Sequence, residues 1–224
     1  MKKLKAILLI GILLTVNTFF GQNETAKDWA NLKKYATENL SVNKNSKNIV
    51  LMGDSITEFW KVTDNDFFEK NNLIDRGISG QTTSQMLLRF RQDVINLKPK
   101  TVVILAGIND IAENTGPISI ENIFDNIKSM IELAQANKIK VILCSVLPAN
   151  SFYWNTNIKP ADKVIQLNKL LASYAKNNAI DYVDYYSEMV DSELGLQKKY
   201  GEDGVHPNIT GYKVMEKLLI EKLN

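Results

Sequence analysis

The chain has 224 residues, with 27 basic and 25 acidic side chains and one cysteine. The basic excess lies at the N-terminus, because Lys2, Lys3 and Lys5 belong to residues 1–21 and no acidic residue does. The other 203 residues carry a charge of about −1. This balance argues against nucleic acid or an anionic membrane surface as a partner. Cys144 cannot form an internal disulfide, so the core must stabilise the fold.

Residues 1–21 have the layout of a secretory signal peptide. A basic start precedes the apolar run Ala6–Val16, and we expect cleavage before Gln22 or close by. The run is short for a transmembrane helix and no second long one follows, so we expect no stable membrane span after processing. An uncleaved N-terminal anchor is the alternative, and the lack of a cysteine near the cut argues against a lipid anchor. We therefore expect a secreted or periplasmic protein with one domain at residues 22–224.

Five short apolar runs rich in β-branched residues predict buried strands. In chain order they are Asn48–Met52, Leu73–Asp75, Thr101–Leu105, Lys140–Cys144 and Ile180–Val183. Apolar residues at helical spacing predict helices at 27–40, 83–97, 120–134, 164–175 and 214–219, with Ser119 as an N-cap. Alternating strands and helices predict an α/β fold whose parallel sheet is covered on both faces. Functional residues should then follow the carboxyl ends of the strands, near the point where the strand order reverses.

Gly53-Asp54-Ser55 directly follows the first predicted strand. A serine on a tight turn between strand and helix exposes its hydroxyl, and nearby helix amides favour a developing negative charge. The same residues are also typical of an ordinary helix N-cap. The hydrolase elbow G-x-S-x-G is absent, because Ile56 and Thr57 follow Ser55.

The single histidine of the chain, His206, lies in a glycine-containing loop just before the last predicted helix. A serine becomes a good nucleophile when a base takes its proton, and imidazole is the usual base near neutral pH. Asp203, three residues earlier, is placed to accept a hydrogen bond from the ring and hold it in one tautomer. A surface histidine in a helix entry loop is the alternative.

Two later junctions between strand and helix offer hydrogen-bond donors for an oxyanion. Gly80 follows the second predicted strand and would let a main-chain N–H approach a substrate, whereas Asn109 follows the third and carries a neutral amide. Glycine and asparagine are common turn residues, so each signal alone is weak. Asp54 and Asp110, which adjoin Ser55 and Asn109, are interpreted as local caps or supports.

Taken together and in order, these four blocks resemble the SGNH, or GDSL-type, hydrolase family, although Gly-Asp-Ser-Ile replaces the more frequent Gly-Asp-Ser-Leu. The resemblance implies a flavodoxin-like three-layer α/β/α sandwich with a five-stranded parallel sheet. It also implies a catalytic triad of Ser55, His206 and Asp203 and an oxyanion hole from Ser55, Gly80 and Asn109. The sequence of Gly77–Phe90 and Pro99–Asn109 looks especially like the branch that contains platelet-activating-factor acetylhydrolase subunits and bacterial acetylesterases.

The function expected from this reasoning is hydrolysis of short acyl esters, above all acetyl esters, of a carbohydrate or a small lipid through an acyl-enzyme on Ser55. A lysophospholipase or thioesterase for longer chains and a non-catalytic carbohydrate-binding protein are the alternatives. The aromatic run Phe152–Trp154 is interpreted as an acyl pocket, a platform for a sugar ring or loop packing. No cofactor or metal is expected. The sequence has one histidine and no Cys/His cluster, and the common zinc sites need more ligands of these types. The oligomeric state stays open.

Overall fold

A five-stranded, wholly parallel sheet forms the centre of the structure, a computed structural model that describes residues 28–44 and 47–223. Its strands are β1 (Ile49–Gly53), β2 (Leu73–Gly77), β3 (Thr101–Leu105), β4 (Lys140–Cys144) and β5 (Asp181–Val183). The helices in these ranges are α1 (Ala36–Ser41), α2 (Ser55–Thr63), α3 (Asn65–Lys70), α4 (Thr83–Asp93), α5 (Ile108–Ile111), α6 (Ile120–Ala136), α7 (Ala161–Asn177), α8 (Tyr185–Met189) and α9 (Ile209–Leu223). The predicted signal peptide lies outside the described residues, and the domain boundary at residue 22 stays a prediction.

The strands lie in the order β2-β1-β3-β4-β5, which is the order of flavodoxin-like folds. Crossover connections between parallel strands are right-handed. The connection from β1 to β2 runs across the sheet in one direction and the connection from β2 to β3 runs in the other, so their helices lie on opposite faces of the sheet. On one face α4 packs on α6 and α6 on α7. On the other, the rings of Trp60 in α2 and Tyr212 in α9 stack at 5.5 Å. The predicted three-layer α/β/α sandwich is confirmed.

The second strand is two residues longer than predicted. It continues through Arg76 to Gly77, which pairs with Gly53 at the end of β1. Charged residues end an apolar run in the sequence, but the Arg76 side chain is fully buried because α1 supplies its partners. Arg76 Nε donates to Asn39 Oδ1 at 2.9 Å, and Nη1 pairs with Glu38 Oε1 at 2.9 Å. A pairing with a distant helix therefore lengthens the strand.

The predicted helix at 27–40 is wrong for most of its described length, since turns occupy residues 29–30 and 32–35 and α1 begins only at Ala36. Asn31 has a φ of 52°, which interrupts a right-handed helix. Glutamine side chains in and before α4 donate to the carbonyls that a helix would have used: Gln81 to Ala30 at 2.7 Å, Gln85 to Trp29 at 2.7 Å and Gln92 to Leu32 at 2.6 Å. Tertiary hydrogen bonds override the local apolar spacing here.

The other predicted helices are present, with shifted ends. The predicted segment 83–97 divides into α4, which ends at Asp93, and a 3-10 helix at Ile95–Leu97. Ser119 caps α6 as predicted, because its hydroxyl accepts the N–H of Asn122 at 3.2 Å. Among the residues that the structure describes, no helix is both long and apolar enough to cross a bilayer.

Candidate active site

The residues singled out from the sequence meet at the carboxyl edge of the sheet, where the strand order reverses between β1 and β3. Ser55 follows β1, Gly80 follows β2, Asn109 follows β3, and the loop with Asp203 and His206 leads into α9. All five line one cavity of about 470 Å³. The fold thus gathers residues up to 151 positions apart in the chain.

The turn from β1 into α2 leaves the Ser55 hydroxyl available for chemistry. Gly53 is required there, because a Cβ at this position would lie 2.1 Å from Thr57 Oγ1. Asp54 is the N-cap of α2, and its Oδ1 accepts the N–H of Ile56 at 2.9 Å. Asp54, and not Ser55, is therefore the helix N-cap, so the Ser55 hydroxyl is not used for capping.

Ser55, His206 and Asp203 form one hydrogen-bonded chain. Ser55 Oγ lies 2.8 Å from His206 Nε2, and His206 Nδ1 lies 2.7 Å from Asp203 Oδ2. The other oxygen of Asp203 accepts the main-chain N–H groups of Val205 at 2.9 Å and His206 at 2.7 Å. Gly204 has a φ of 80°, so the loop turns tightly enough for Asp203 to bind both main chain and ring. One carboxylate thus fixes the loop and the imidazole together.

The carboxylates around the site differ in their electrostatics. Burial alone would raise the pKa of Asp203, but hydrogen bonds from the His206 main chain, the His206 ring and Val205 outweigh it and hold that pKa below its ordinary value. Burial raises the pKa of Asp54 to about 6, partly offset by the Ile56 N–H and by His206. Burial likewise raises the pKa of Asp110 to about 6, against hydrogen bonds from Thr83. Asp203 is therefore the carboxylate best suited to face an imidazolium.

Gly80 and Asn109 also line the cavity, on the loops that follow β2 and β3. Gly80 has a φ of 77° and is the third residue of a turn closed by a hydrogen bond from Gln81 N to Ile78 O at 3.2 Å. Asn109 Nδ2 donates to the carbonyl of Gln81 at 3.1 Å, which ties the β2 and β3 loops together. Both loops are therefore held in place before any substrate binds.

Two cavity residues escaped sequence reasoning. Asn114 donates from Nδ2 to Asn109 Oδ1 at 3.0 Å and to the Gly80 carbonyl at 3.2 Å, so it fixes the orientation of the Asn109 side-chain amide. It follows the short helix α5, where no periodicity points to it. The Phe59 ring lies 5.3 Å from the His206 ring. Phe59 is four residues after Ser55 on α2, so helical spacing could have found it.

The aromatic run after β4 divides between core and cavity. Phe152 is fully buried, whereas Tyr153 and Trp154 line the cavity and are 66% and 40% exposed. Phe152 stacks on Trp154 at 4.9 Å, and Tyr153 meets Trp154 edge-on at 4.7 Å. Phe152 thus anchors two aromatic rings at the cavity rim. Within the described residues, no group of three or more His, Cys, Asp or Glu side chains could hold a metal ion.

Comparison with known proteins identifies the family. Residues 51–214 match the model of the GDSL-like lipase/acylhydrolase family, and the chain belongs to this family. The structure is similar to that of a Bacteroides fragilis protein assigned as an acylhydrolase, with a TM-score of 0.86 and 54% identity over 88% of this chain and 98% of that chain. The chain thus has both the sequence pattern and the fold of the GDSL-like lipase/acylhydrolase family.

Two curated relatives match over part of their length. The lipoprotein YqeF of Bacillus subtilis, itself uncharacterized, is 38% identical over 85 residues, which cover 36% of this chain and 35% of that protein. An acetylxylan esterase of Xylanibacter ruminicola is 27% identical over 148 residues, which cover 57% of this chain and 29% of that protein. The match thus spans about a third of the length of these curated relatives.

Proposed function

We propose that the protein is a serine esterase that hydrolyses short acyl esters, above all acetyl esters, of a carbohydrate. The observation that carries the proposal is the chain of two short hydrogen bonds from Ser55 through His206 to Asp203 at the cavity. Ser55 Oγ attacks the ester carbonyl carbon while His206 Nε2 takes the hydroxyl proton. His206 then returns that proton to the departing alcohol. Water attacks the acyl-enzyme with His206 again as base, which releases the acid and restores Ser55.

Three donors are assigned to the oxyanion that forms in each step. They are the main-chain N–H groups of Ser55 and Gly80 and the second N–H of the Asn109 amide, whose first N–H is used by the Gln81 carbonyl. Ser55 is the first residue of α2, so its N–H has no partner within the helix. Donors that are already in position lower the activation barrier. Losing one such donor typically raises that barrier by about 2.7–4 kcal/mol, which lowers kcat.

The cavity beside Ser55 has both polar and apolar lining. Ser79, Asn109 and Asn114 supply polar groups, whereas the rings of Phe59, Tyr153 and Trp154 supply apolar surface. A long acyl chain would gain about 0.8 kcal/mol for each CH₂ group buried against such surface, so the lining by itself does not favour acetyl. It is the similarity to an acetylxylan esterase that favours acetyl over long-chain esters.

The rim of the cavity favours a sugar as the alcohol part. Tyr153 and Trp154 present exposed rings beside the polar groups, and amphipathic rings of this kind bind the apolar faces of carbohydrates while hydroxyls stay hydrated. The similarity to an acetylxylan esterase supports the same substrate class. Trp154→Ala should raise KM for an acetylated xylo-oligosaccharide about three- to tenfold, in line with ~0.5–1.5 kcal/mol for an aromatic contact. KM for an aryl acetate should stay unchanged.

We also propose that the protein acts outside the cytoplasm. The basic and apolar N-terminal segment supports export, and the similarity to a B. subtilis lipoprotein points the same way. A glycan esterase meets its polymeric substrate there. Cell fractionation of the full-length chain, with N-terminal sequencing of the product, tests the site of action and the cleavage before Gln22.

The central test is hydrolysis by the Ser55→Ala variant. The wild type should release acetate from acetylated glycans and cleave 4-nitrophenyl acetate, and Ser55→Ala should lose both activities while keeping its thermal melting point. Ser192→Ala, a matched change at an exposed loop serine, should retain full activity. Retained turnover in Ser55→Ala would overturn the assignment.

Two further readouts separate the alternatives. A 4-nitrophenyl ester series from acetate to dodecanoate should give the highest kcat/KM at acetate; a maximum at long chains would indicate a lysophospholipase or thioesterase. A fluorophosphonate probe should label Ser55 in the wild type. Glycan binding without labelling would indicate a non-catalytic carbohydrate-binding protein. Activity should also fall in acid, because a protonated imidazole cannot accept the serine proton.

A further inference from the structure

A single carboxylate joins the helix that carries Ser55 to the loop that carries Gly80. Glu58 lies one turn after Ser55 on α2, and its Oε2 accepts both the main-chain N–H and the hydroxyl of Ser79, each at 2.7 Å. Its Oε1 forms an ion pair with Lys34 of the N-terminal segment. Three chain-distant segments therefore meet at one side chain beside the cavity.

Main-chain packing places Glu58 for this contact. A Cβ on Gly77 would lie 2.3 Å from the Glu58 nitrogen, so the end of β2 lies directly against the backbone of α2. Two residues later the chain has reached Ser79, within reach of the Glu58 carboxylate. Because strand and helix are in close contact, the bond between Glu58 and Ser79 is built into the packing of the two elements.

The bond acts on the residue next to Gly80. Only the two backbone torsions of Ser79 separate its bound N–H from the N–H of Gly80. Binding the Ser79 hydroxyl to the same oxygen limits those torsions further. On the other side of the turn, Asn114 donates to the Gly80 carbonyl at 3.2 Å. Glu58 thus holds the side of the turn that leads into the Gly80 N–H.

Glu58 is in the charge state that binds most strongly. Burial alone would raise its pKa, but hydrogen bonds from Lys34 and from the hydroxyl and N–H of Ser79 outweigh burial and bring the pKa below its ordinary value. The carboxylate is therefore ionised at neutral pH. Hydrogen bonds to an ionised acceptor are roughly twice as strong as those between neutral groups.

We propose that Glu58 is a positioning residue that holds the Ser79–Gly80 peptide so that the Gly80 N–H faces the oxyanion. The proposal rests on the esterase function proposed above. It concerns the transition state, because the negative charge on the carbonyl oxygen exists only there. Loss of Glu58 should therefore lower kcat and leave KM nearly unchanged.

The test compares four substitutions, with kcat and KM measured for 4-nitrophenyl acetate. Deleting a whole oxyanion donor costs about 100- to 1000-fold in kcat, so Glu58→Ala, which only loosens one, should cost about 10- to 100-fold with KM within about threefold. Glu58→Gln keeps an oxygen for Ser79 and should recover to within about fivefold of the wild type. Ser79→Ala keeps the N–H bond and should lie between the two. Asp66→Ala, the control, removes an exposed carboxylate from α3 and should match the wild type.

The affinity of a boronic acid inhibitor is a second measurement, and it should not change if Glu58 has only a structural role. The inhibitor's tetrahedral adduct with Ser55 places an oxygen in the oxyanion hole, so its affinity should fall in Glu58→Ala by the same factor as kcat. Equal circular dichroism spectra would show that the variants are folded. If Glu58→Ala melts below the assay temperature, the kcat and boronate affinity of Ser79→Ala decide instead.

Three results would overturn the inference: kcat of Glu58→Ala within threefold of the wild type, equal losses in Glu58→Ala and Glu58→Gln, or a change confined to KM. These are distinct from failure of the esterase proposal. A wild type that neither cleaves esters nor reacts with the fluorophosphonate probe overturns the proposed function and this inference with it. If the wild type cleaves esters and reacts with the probe while Ser55→Ala is inactive, the esterase proposal holds. The Glu58 variants then test the positioning role alone.

Discussion

Asp203→Asn should damage the reaction far more than its small change in shape suggests. Asp203 Oδ1 accepts two main-chain N–H groups, at 2.9 Å from Val205 and 2.7 Å from His206, and Oδ2 faces the ring at 2.7 Å. Asparagine has one oxygen, and the two main-chain donors keep it on their side. The NH₂ group then faces His206 Nδ1, which must be unprotonated to accept from it. The ring proton moves to Nε2, where it blocks acceptance of the Ser55 proton.

The expected loss is about 10,000-fold in kcat, which corresponds to about 5.4 kcal/mol in the barrier. KM should change little, because Asp203 acts on the chemical step through the His206 imidazole. The chain has a single histidine, so imidazole ¹⁵N signals of an untagged, labelled protein report on His206 alone. The wild type should show the proton on Nδ1 and the variant should show it on Nε2. Kinetics and tautomer are thus measured on the same sample.

Asp191→Asn is the matched control. Asp191 Oδ1 also accepts two main-chain N–H groups, from Glu193 at 2.8 Å and Gly195 at 2.9 Å, and faces no imidazole. This variant should keep full activity and the wild-type tautomer. The tautomer argument is refuted if Asp203→Asn keeps more than a tenth of the wild-type kcat, or if its ring still carries the proton on Nδ1.

Two further predictions concern stability. Arg89 is fully buried and donates to the Gly53 carbonyl at 3.0 Å and to Asp93 at 3.1 Å, so Arg89→Met leaves Asp93 buried without its cation. Urea unfolding should show a loss of about 3–5 kcal/mol, and a loss below 1 kcal/mol would contradict this. Burial raises the pKa of Asp54 from 3.8 to about 6, so its contribution to stability is full below pH 3.8 and lost as the pH rises through about 6. Asp54→Asn should therefore gain stability relative to the wild type between pH 4 and pH 7, by roughly 3 kcal/mol at most, whereas a constant difference would speak against the shift.

Local pattern was enough to predict most of the framework. β3 and β4 begin and end where the runs Thr101–Leu105 and Lys140–Cys144 do, because a central parallel strand is buried on both faces and is therefore apolar over most of its length. Pattern failed where a partner comes from elsewhere. Residues 29–35 are not helical because glutamines in and before α4 bind their carbonyls, and β2 runs past Asp75 because α1 neutralises Arg76. Neither partner is visible in a local window of sequence.

The sequence by itself determined the order of the five strands, the helices α4, α6, α7 and α9, and the five candidate site residues. Each of these residues follows a strand or precedes the last helix and has a residue type suited to acyl transfer. Only the tertiary structure decided that β1 lies beside β3, and hence that Ser55, His206 and Asp203 lie within hydrogen-bonding distance of one another. It also decided the supports: Glu58 on Ser79, and Asn114 on Asn109. Such contacts depend on strand order and on the reach of single side chains across loops, and neither leaves a period or a motif in the chain.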